Sequence, residues 1–293
     1  MKETWNEKLF GYSNLILLGF IGLISLFPFY YIMVVSFTDS SEYLSSRIIL
    51  FPKQFTLDAY QYIFSSRIFV TSLGVSGYLA VVGTILSLIV TAAFGYMISR
   101  KRLVGRKVIT TSLIITILFQ PGMIPNYLII NELGLMNSLW SIILPGMLSG
   151  WNALLLKTFF ENIPESLEES AYMDGANDLK IFFQIILPLS LPAMATFGLF
   201  FAVGYWNTFF SAVLYITDDT KWPLQVLLQS MIVQSSTGIA DPSVAANMSA
   251  DQTVTPQIIK MAAIVIATIP ILMVYPFLQK HFTKGVMLGS VKG

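Results

Sequence analysis

The run Glu161 to Lys180, ENIPESLEESAYMDGANDLK, gathers Glu161, Glu165, Glu168, Glu169, Asp174 and Asp178 among small polar residues. Pro164 suits a first helical turn, and the glutamates after it favour the positive end of a helix dipole. Gly175 can end such a helix at positive φ, and Asn177 or Asp178 can cap the next one. The spacing therefore predicts a short helix, a sharp turn, and a second helix whose Leu179, Ile181, Phe182, Ile185 and Ile186 re-enter an apolar layer before Pro188. Beside an anionic inner leaflet these acids are pushed away from the headgroups, so the chemistry on offer is electrostatic docking to another protein. A solvated turn whose acids merely face water fits the same residues, and physics alone leaves both readings open.

A second group consists of uncharged hydrogen-bonding and aromatic residues set in apolar stretches: Gln120, Trp151, Asn152, Tyr205, Trp206 and Asn207. Hydroxyl-rich ligands take stacking on aromatic rings and hydrogen bonds from amides, so these are candidates for a substrate path. Trp206 and Asn207 lie deep in an apolar run, where an amide needs a partner, so they face protein or a water-filled path. Packing between helices and contact with substrate both satisfy that condition. Gln120 precedes Pro121 and Gly122, which must open the helical bonding and make either a static kink or a hinge.

Other chemistries find no residues. There are no cysteines, which excludes disulfides and thiolate chemistry. The one histidine, His281, stands beside Lys280, Phe282 and Lys284 without a second imidazole at ligand spacing, so no metal is expected. No phosphate-loop motif occurs, so any ATP must be hydrolysed in another chain. A net charge of +1, from 17 basic and 16 acidic residues, gives no footprint for nucleic acid.

The elements that position these groups follow from hydropathy. The chain has 293 residues, 55% of them hydrophobic and 11% charged, with a mean hydropathy of +0.71. Soluble domains carry roughly a quarter charged residues, so this composition belongs in a bilayer. A hydrocarbon core of about 30 Å needs about 20 apolar residues per helix. Six stretches meet that measure: Leu15 to Phe37, Thr71 to Ile98, Val108 to Ile130, Leu139 to Phe160, Pro188 to Ile216 and Ile258 to Phe282. The fifth, interrupted by Pro188 and Pro192, can begin with a separate interfacial turn. The first is longer than a signal-peptide core and lacks a small-x-small cleavage site, so it is expected to remain as an anchor.

Charge sets the orientation. Lys2, Lys8, Arg100, Lys101, Arg102, Arg106, Lys107, Lys157, Lys180, Lys280, Lys284 and Lys292 fall on one side, against Arg47, Lys53, Arg67, Lys221 and Lys260 on the other. The positive-inside rule then places both termini and the acidic loop in the cytoplasm. The external segments are Thr38 to Val70, a link around Asn131 to Ser138, and Thr217 to Gln257, the last long enough for a scoop over a pore mouth. The expectation is an all-α membrane protein, one transmembrane domain over residues 1–293, with the acidic cytoplasmic loop at about 161–180, the coupling loop of the resemblance given below, and a cytoplasmic tail at about 283–293.

The residues also resemble a family. Glu169-Ser170-Ala171, Asp174-Gly175-Ala176, Ile185 and Leu187-Pro188 resemble the EAA loop of ATP-binding-cassette importer permeases, with Ser170 where alanine is usual. Ala93-Phe94-Gly95-Tyr96 with Ser99-Arg100-Lys101, Trp206-Asn207-Thr208-Phe209 and the terminal Lys284 to Gly293 are similar to stretches of the carbohydrate group, near the second permease of oligosaccharide and alginate importers. Thr208 replaces the usual acid of the tryptophan motif. The resemblance implies a multi-pass protein of the bacterial inner membrane, paired with a homologous permease, two cytoplasmic ATPases and an external solute-binding protein, importing an oligosaccharide of alginate or related type. It implies that Glu165, Glu168, Glu169, Ser170, Ala171, Asp174, Gly175 and Ala176 couple to the ATPase and that Ser290, Val291, Lys292 and Gly293 reach it. ATP and Mg would sit in the partner, with no cofactor in this chain. An ion-coupled secondary carrier is the alternative, although the spans lack the buried charge pairs such carriers use.

Overall fold

The computed structural model describes residues 5–46, 48–237 and 254–285, without the side chains of 6–9, 234–237 and 275–285. Every backbone polar group in hydrocarbon must find its partner within the chain, and here helices supply it. Among the described residues the sole β pairing is an isolated bridge between Thr38 and Phe55. Packing divides the chain into two compact units, Met1–Val70 with Leu228–Ile269 and Thr71–Leu227 with Pro270–Gly293.

The first unit opens with α1, Trp5–Ser36, whose apolar portion Phe10–Ser36 has 27 residues and so reaches about 40 Å, ample for a bilayer. The most apolar window of that portion is entirely unburied, as suits a helix that meets lipid or another subunit. Beyond it, Asp39 accepts from the Ser41 amide to cap α2, Ser40–Ser45, and α3 follows at Asp58–Ser65. The Glu42 carboxylate accepts from the Lys53 and Gln54 amides at 2.9–3.1 Å, while Phe37 stacks between Phe55 and Tyr60. These contacts turn the expected external segment after the first span into an ordered cap.

The second span runs unbroken over Arg67–Ser99 as α4, Arg67–Tyr78, a π turn at Leu79–Gly83, and α5, Thr84–Ser99. The third is α6, Arg106–Leu118, and α7, Met123–Glu132, which meet at 114°. This corrects the expectation of one rod from Val108 to Ile130 kinked at Pro121: the chain turns sharply, with Gly122 at φ 83° opening the corner. The fourth is α8, Trp140–Gly146, and α9, Gly150–Glu161, bent by 43° where Ser149 accepts from the Asn152 amide. Then come α10, Glu165–Met173, α11, Asp178–Ile181, a second π turn at Phe182–Ile186, and α12, Leu187–Leu189. An 86° bend separates Asp178–Leu189 from α13, Leu191–Trp206, so the fifth stretch does begin with a separate turn, one that starts well before Pro188. The span also ends sooner than Ile216, at Trp206, and α14 restarts at Phe210–Tyr215. Last are α15, Leu224–Thr237, and α16, Pro256–Gly285. Three unbroken apolar helices and three bent pairs thus account for up to six spans, as the hydropathy predicts.

Within the second unit α5 is the central post. Gly95 lets α9 approach so closely that a Cβ there would stand 3.1 Å from the Ala153 carbonyl oxygen and 3.2 Å from Leu156. Tyr96, Phe160 and Phe182 form an aromatic knot at the basic end of α5, with Ile181 and Ile186 fully buried around it. In the first unit the start of α16 is anchored by Ile258, Ile259, Ala262 and Ala263, all buried, and by the Thr255 amide donating to Ser40 Oγ at 2.9 Å.

Candidate functional site

The acidic run folds as its residue types dictate. α10 ends in a left-handed Gly175 at φ 79°, with the Gly175 amide donating to the Tyr172 carbonyl and the Ala176 amide to the Ala171 carbonyl, both at 2.9 Å. That pair of bonds is the Schellman arrangement, which satisfies carbonyls the helix would otherwise leave open. Asn177 Oδ1 then accepts from the Lys180 amide at 2.9 Å and starts α11.

Tertiary contacts split the acids into two groups. The basic turn after α5 receives four of them. Arg100 meets Glu168 at 2.8 Å and stacks over the Tyr96 ring at 4.6 Å, with both partners of the ion pair buried. Arg100 also donates to the Phe160 carbonyl at 3.3 Å, tying the pair to the end of α9. Lys101 pairs with Glu165 at 2.8 Å in full solvent, and this partner holds the Glu165 carboxyl below its ordinary range. Arg102 contacts both the Tyr172 hydroxyl and the Asp178 carboxylate and lies over the Tyr172 ring at 4.6 Å. Arg106 engages Glu161, which Lys157 also reaches at 3.0 Å.

Glu168 feels opposing influences. Burial raises its carboxyl above the usual range, and Arg100 and Arg102 act the other way. Its ionised form is therefore tolerable because the guanidinium stands beside it.

Helical periodicity explains the division. Glu168 and Ala171 lie on the covered side of α10, with Glu165 and Tyr172 at its margin. Glu169, Ser170, Met173 and Asp174 are exposed, Met173 to 88%, and among the described residues Glu169 and Asp174 take part in no ion pair. Four of the six acids are thus neutralised from within the chain, and Glu169 and Asp174 stand apart from these pairs. Ser170 points outward and folds its hydroxyl back to the Ser166 carbonyl at 2.9 Å. The tail residues Ser290, Val291, Lys292 and Gly293, and the side chain of His281, lie outside the described residues.

The six path candidates do not form one cluster. Tyr205 is buried and shares a 2.9 Å hydrogen bond with Ser87 Oγ, while its hydroxyl donates to the Ile143 carbonyl at 3.3 Å. Its ring fills the space left by Gly83 and Gly146, where an added Cβ would come within 2.7 and 2.8 Å, so Tyr205 is a packing pin. Trp206 is buried beside it in sequence. Asn207 caps the end of α13, donating to the Val203 carbonyl at 2.9 Å and accepting from Gln225 Nε2 at 3.2 Å. Trp151 and Asn152 sit at the start of α9, Trp151 63% exposed. Gln120 lines a cavity of about 360 Å³ with Pro121, Gly122, Met123 and Asn126 from the α6–α7 corner and Phe210, Ser211, Leu214 and Tyr215 from α14. Asn126 and Ser211 escaped the sequence reading. An amide inside the apolar run Met123 to Ile130 was the available signal for the first; nothing local marks the second.

Broken spans, a cavity at one break and a surface helix anchored beside a basic turn give this helical membrane chain the layout of a membrane conduit. Across residues 8–288 it matches the family described as binding-protein-dependent transport system inner membrane component, and it belongs to that family. It is an inner-membrane permease of the ATP-binding-cassette importer class, and not itself an enzyme. It is 48% identical over 283 residues to the polygalacturonan/rhamnogalacturonan transport system permease protein YtcP of Bacillus subtilis (strain 168), covering 96% of this chain and 98% of the relative. It is 45% identical over 295 residues to the protein LplC of the same organism, with 100% and 98% covered. Its fold is similar to a chain in the crystal structure of a bacterial ABC transporter involved in the import of the acidic polysaccharide alginate, at a TM-score of 0.89 and 32% identity, covering 96% of this chain and 99% of that one.

Proposed function

We propose that this chain is a single transmembrane domain forming half of the translocation path of a sugar importer, and that its cargo is an oligosaccharide rich in uronic acid. The observation that carries the reading is the 48% identity, over 96% of the chain, to a permease named for polygalacturonan and rhamnogalacturonan, with the alginate importer as a neighbour in fold. A homologous permease supplies the other half, a solute-binding protein delivers the sugar, and two cytoplasmic ATPases bind ATP and Mg. This chain holds no cofactor.

In this mechanism α10 is the element pushed by the ATPase. Its outer residues Glu169, Ser170, Met173 and Asp174 meet the partner, while Glu168 and Ala171 transmit the displacement inward. Gly175 and Ala176 keep the turn that aims the helix, and Glu165 steadies it through Lys101. A rigid-body stroke at this point tilts the spans between outward- and inward-open states. Support for the cytoplasmic placement comes from the excess of Lys and Arg on the side that carries 100–107 and 157. The tail 290–293 is proposed as a second ATPase contact.

The test uses the complete importer in vesicles, with ATP-dependent uptake and ATP hydrolysis followed together. Glu169→Lys with Asp174→Lys is expected to lose uptake while the subunits still insert in the membrane. Unchanged uptake refutes the coupling role. Uptake driven by an ion gradient in vesicles free of ATPase refutes the importer mechanism as a whole.

A further inference from the structure

The cavity at the α6–α7 corner carries an inference that rests on the importer reading and deepens it. α6 has 13 residues, so it climbs about 20 Å from Arg106 at the basic surface. In a core of about 30 Å this puts Gln120 to Gly122 in the half of the membrane away from the ATPases. Gln120, Asn126 and Ser211 line the space, and among the described residues none of their side chains has a hydrogen-bond partner. Phe210 presents its ring, 62% exposed, at the same cavity. An amide such as Asn126 is strongly disfavoured facing hydrocarbon without a partner, so this face needs a polar occupant or water.

The chemistry of the lining narrows the occupant. Two amides that both donate and accept, the hydroxyl-bearing Ser211 and Tyr215, and an aromatic face suit a ring bearing hydroxyl groups. No lysine or arginine lines the cavity. A carboxylate buried there would have no cation to meet, which is unfavourable in a low-dielectric site. The volume of about 360 Å³ lies at the small end of ligand pockets, usually about 300–1,000 Å³, and so fits one ring at a time.

We propose that the pocket between Gln120, Asn126, Phe210 and Ser211 is a subsite for one pyranose unit of the transported chain, read through its hydroxyls and ring face and blind to its carboxylate. A polymer of acidic sugars passes through such a subsite with each charged group directed out of the pocket. Selection for acidic cargo then resides elsewhere in the assembly.

Ligand-observed NMR on the complete importer in lipid nanodiscs tests this, with galactose and galacturonate as the two probes and ATP-dependent uptake of a galacturonate oligomer measured on the same preparation. Both monosaccharides are expected to bind with similar weak affinity. Asn126→Leu and Ser211→Ala should each weaken both by about 3–10-fold, the value of one uncharged hydrogen bond, and Asn126→Gln should retain more binding than Asn126→Leu. Equal binding by wild type and by a variant that still co-purifies with its partners overturns the subsite. Weakening confined to galacturonate overturns the carboxylate-blind reading. Either result beside intact uptake leaves the importer function standing, whereas absence of uptake by the wild-type assembly strikes at that function itself.

Discussion

Replacing Arg100 by methionine would leave Glu168 as a buried carboxylate with its principal counter-charge gone. The pair stands at 2.8 Å with side-chain exposures of 10% and 8%, so solvent screens it weakly. At an effective dielectric constant of about 20, unit charges about 4 Å apart attract by about 4 kcal/mol, and breaking a buried pair typically costs about 3–5 kcal/mol. Arg100→Met is therefore expected to destabilise the subunit by about 3 kcal/mol. Glu168→Leu added to it should recover most of that loss, because the stranded charge is gone and the site is already lined by apolar residues.

The pH dependence supplies a second signature. Burial raises the folded-state pKa of Glu168 above its unfolded value, so its contribution favours folding below the unfolded pKa and is lost as pH rises through the folded one. Removing Arg100 raises that folded pKa further, so the deficit of Arg100→Met should shrink as pH falls from 7 toward 5. The assay is the melting temperature of the purified complex for wild type, both single variants and the double variant at those two pH values. A neutral Arg100→Met, or a double variant as damaged as the sum of the singles, would refute the argument.

Other consequences follow from single positions. Gly175→Ala should cost about 1–2 kcal/mol through strain alone, since φ is 79° and no atom lies near the new Cβ; limited proteolysis at the α10–α11 turn reads it, with Gly175→Asn milder. Gly83→Ala should cost about 1–3 kcal/mol by driving a methyl group to 2.7 Å from the Tyr205 ring, and Tyr205→Leu should relieve it in a thermal-stability cycle. Tyr205→Phe alone should cost about 1 kcal/mol by leaving Ser87 without its 2.9 Å partner. Because the chain has no cysteine, Met173→Cys gives a single thiol on the exposed face of α10, which should react with maleimide in the isolated subunit and be protected in the ATPase-bound complex.

Features under local control are legible in the residues themselves. Apolar length set the spans, proline and glycine marked the breaks at 121–122 and near 188, and Gly175 with Asn177 set the turn between α10 and α11, because caps and helical bonds join residues within about four positions of each other. Tertiary structure decided which surface each polar residue serves. Nothing local says that Arg100 faces Glu168, or that Arg106 faces Glu161, 55 positions away, since those meetings depend on α5 and α9 packing across Gly95. Tertiary contacts likewise seat Tyr205 against Ser87, Gly83 and Gly146, and bring Asn126 and Ser211 to one cavity at the corner of a broken span. Hydropathy places a residue at a depth in the membrane, and only the meeting of distant helices gives it a direction.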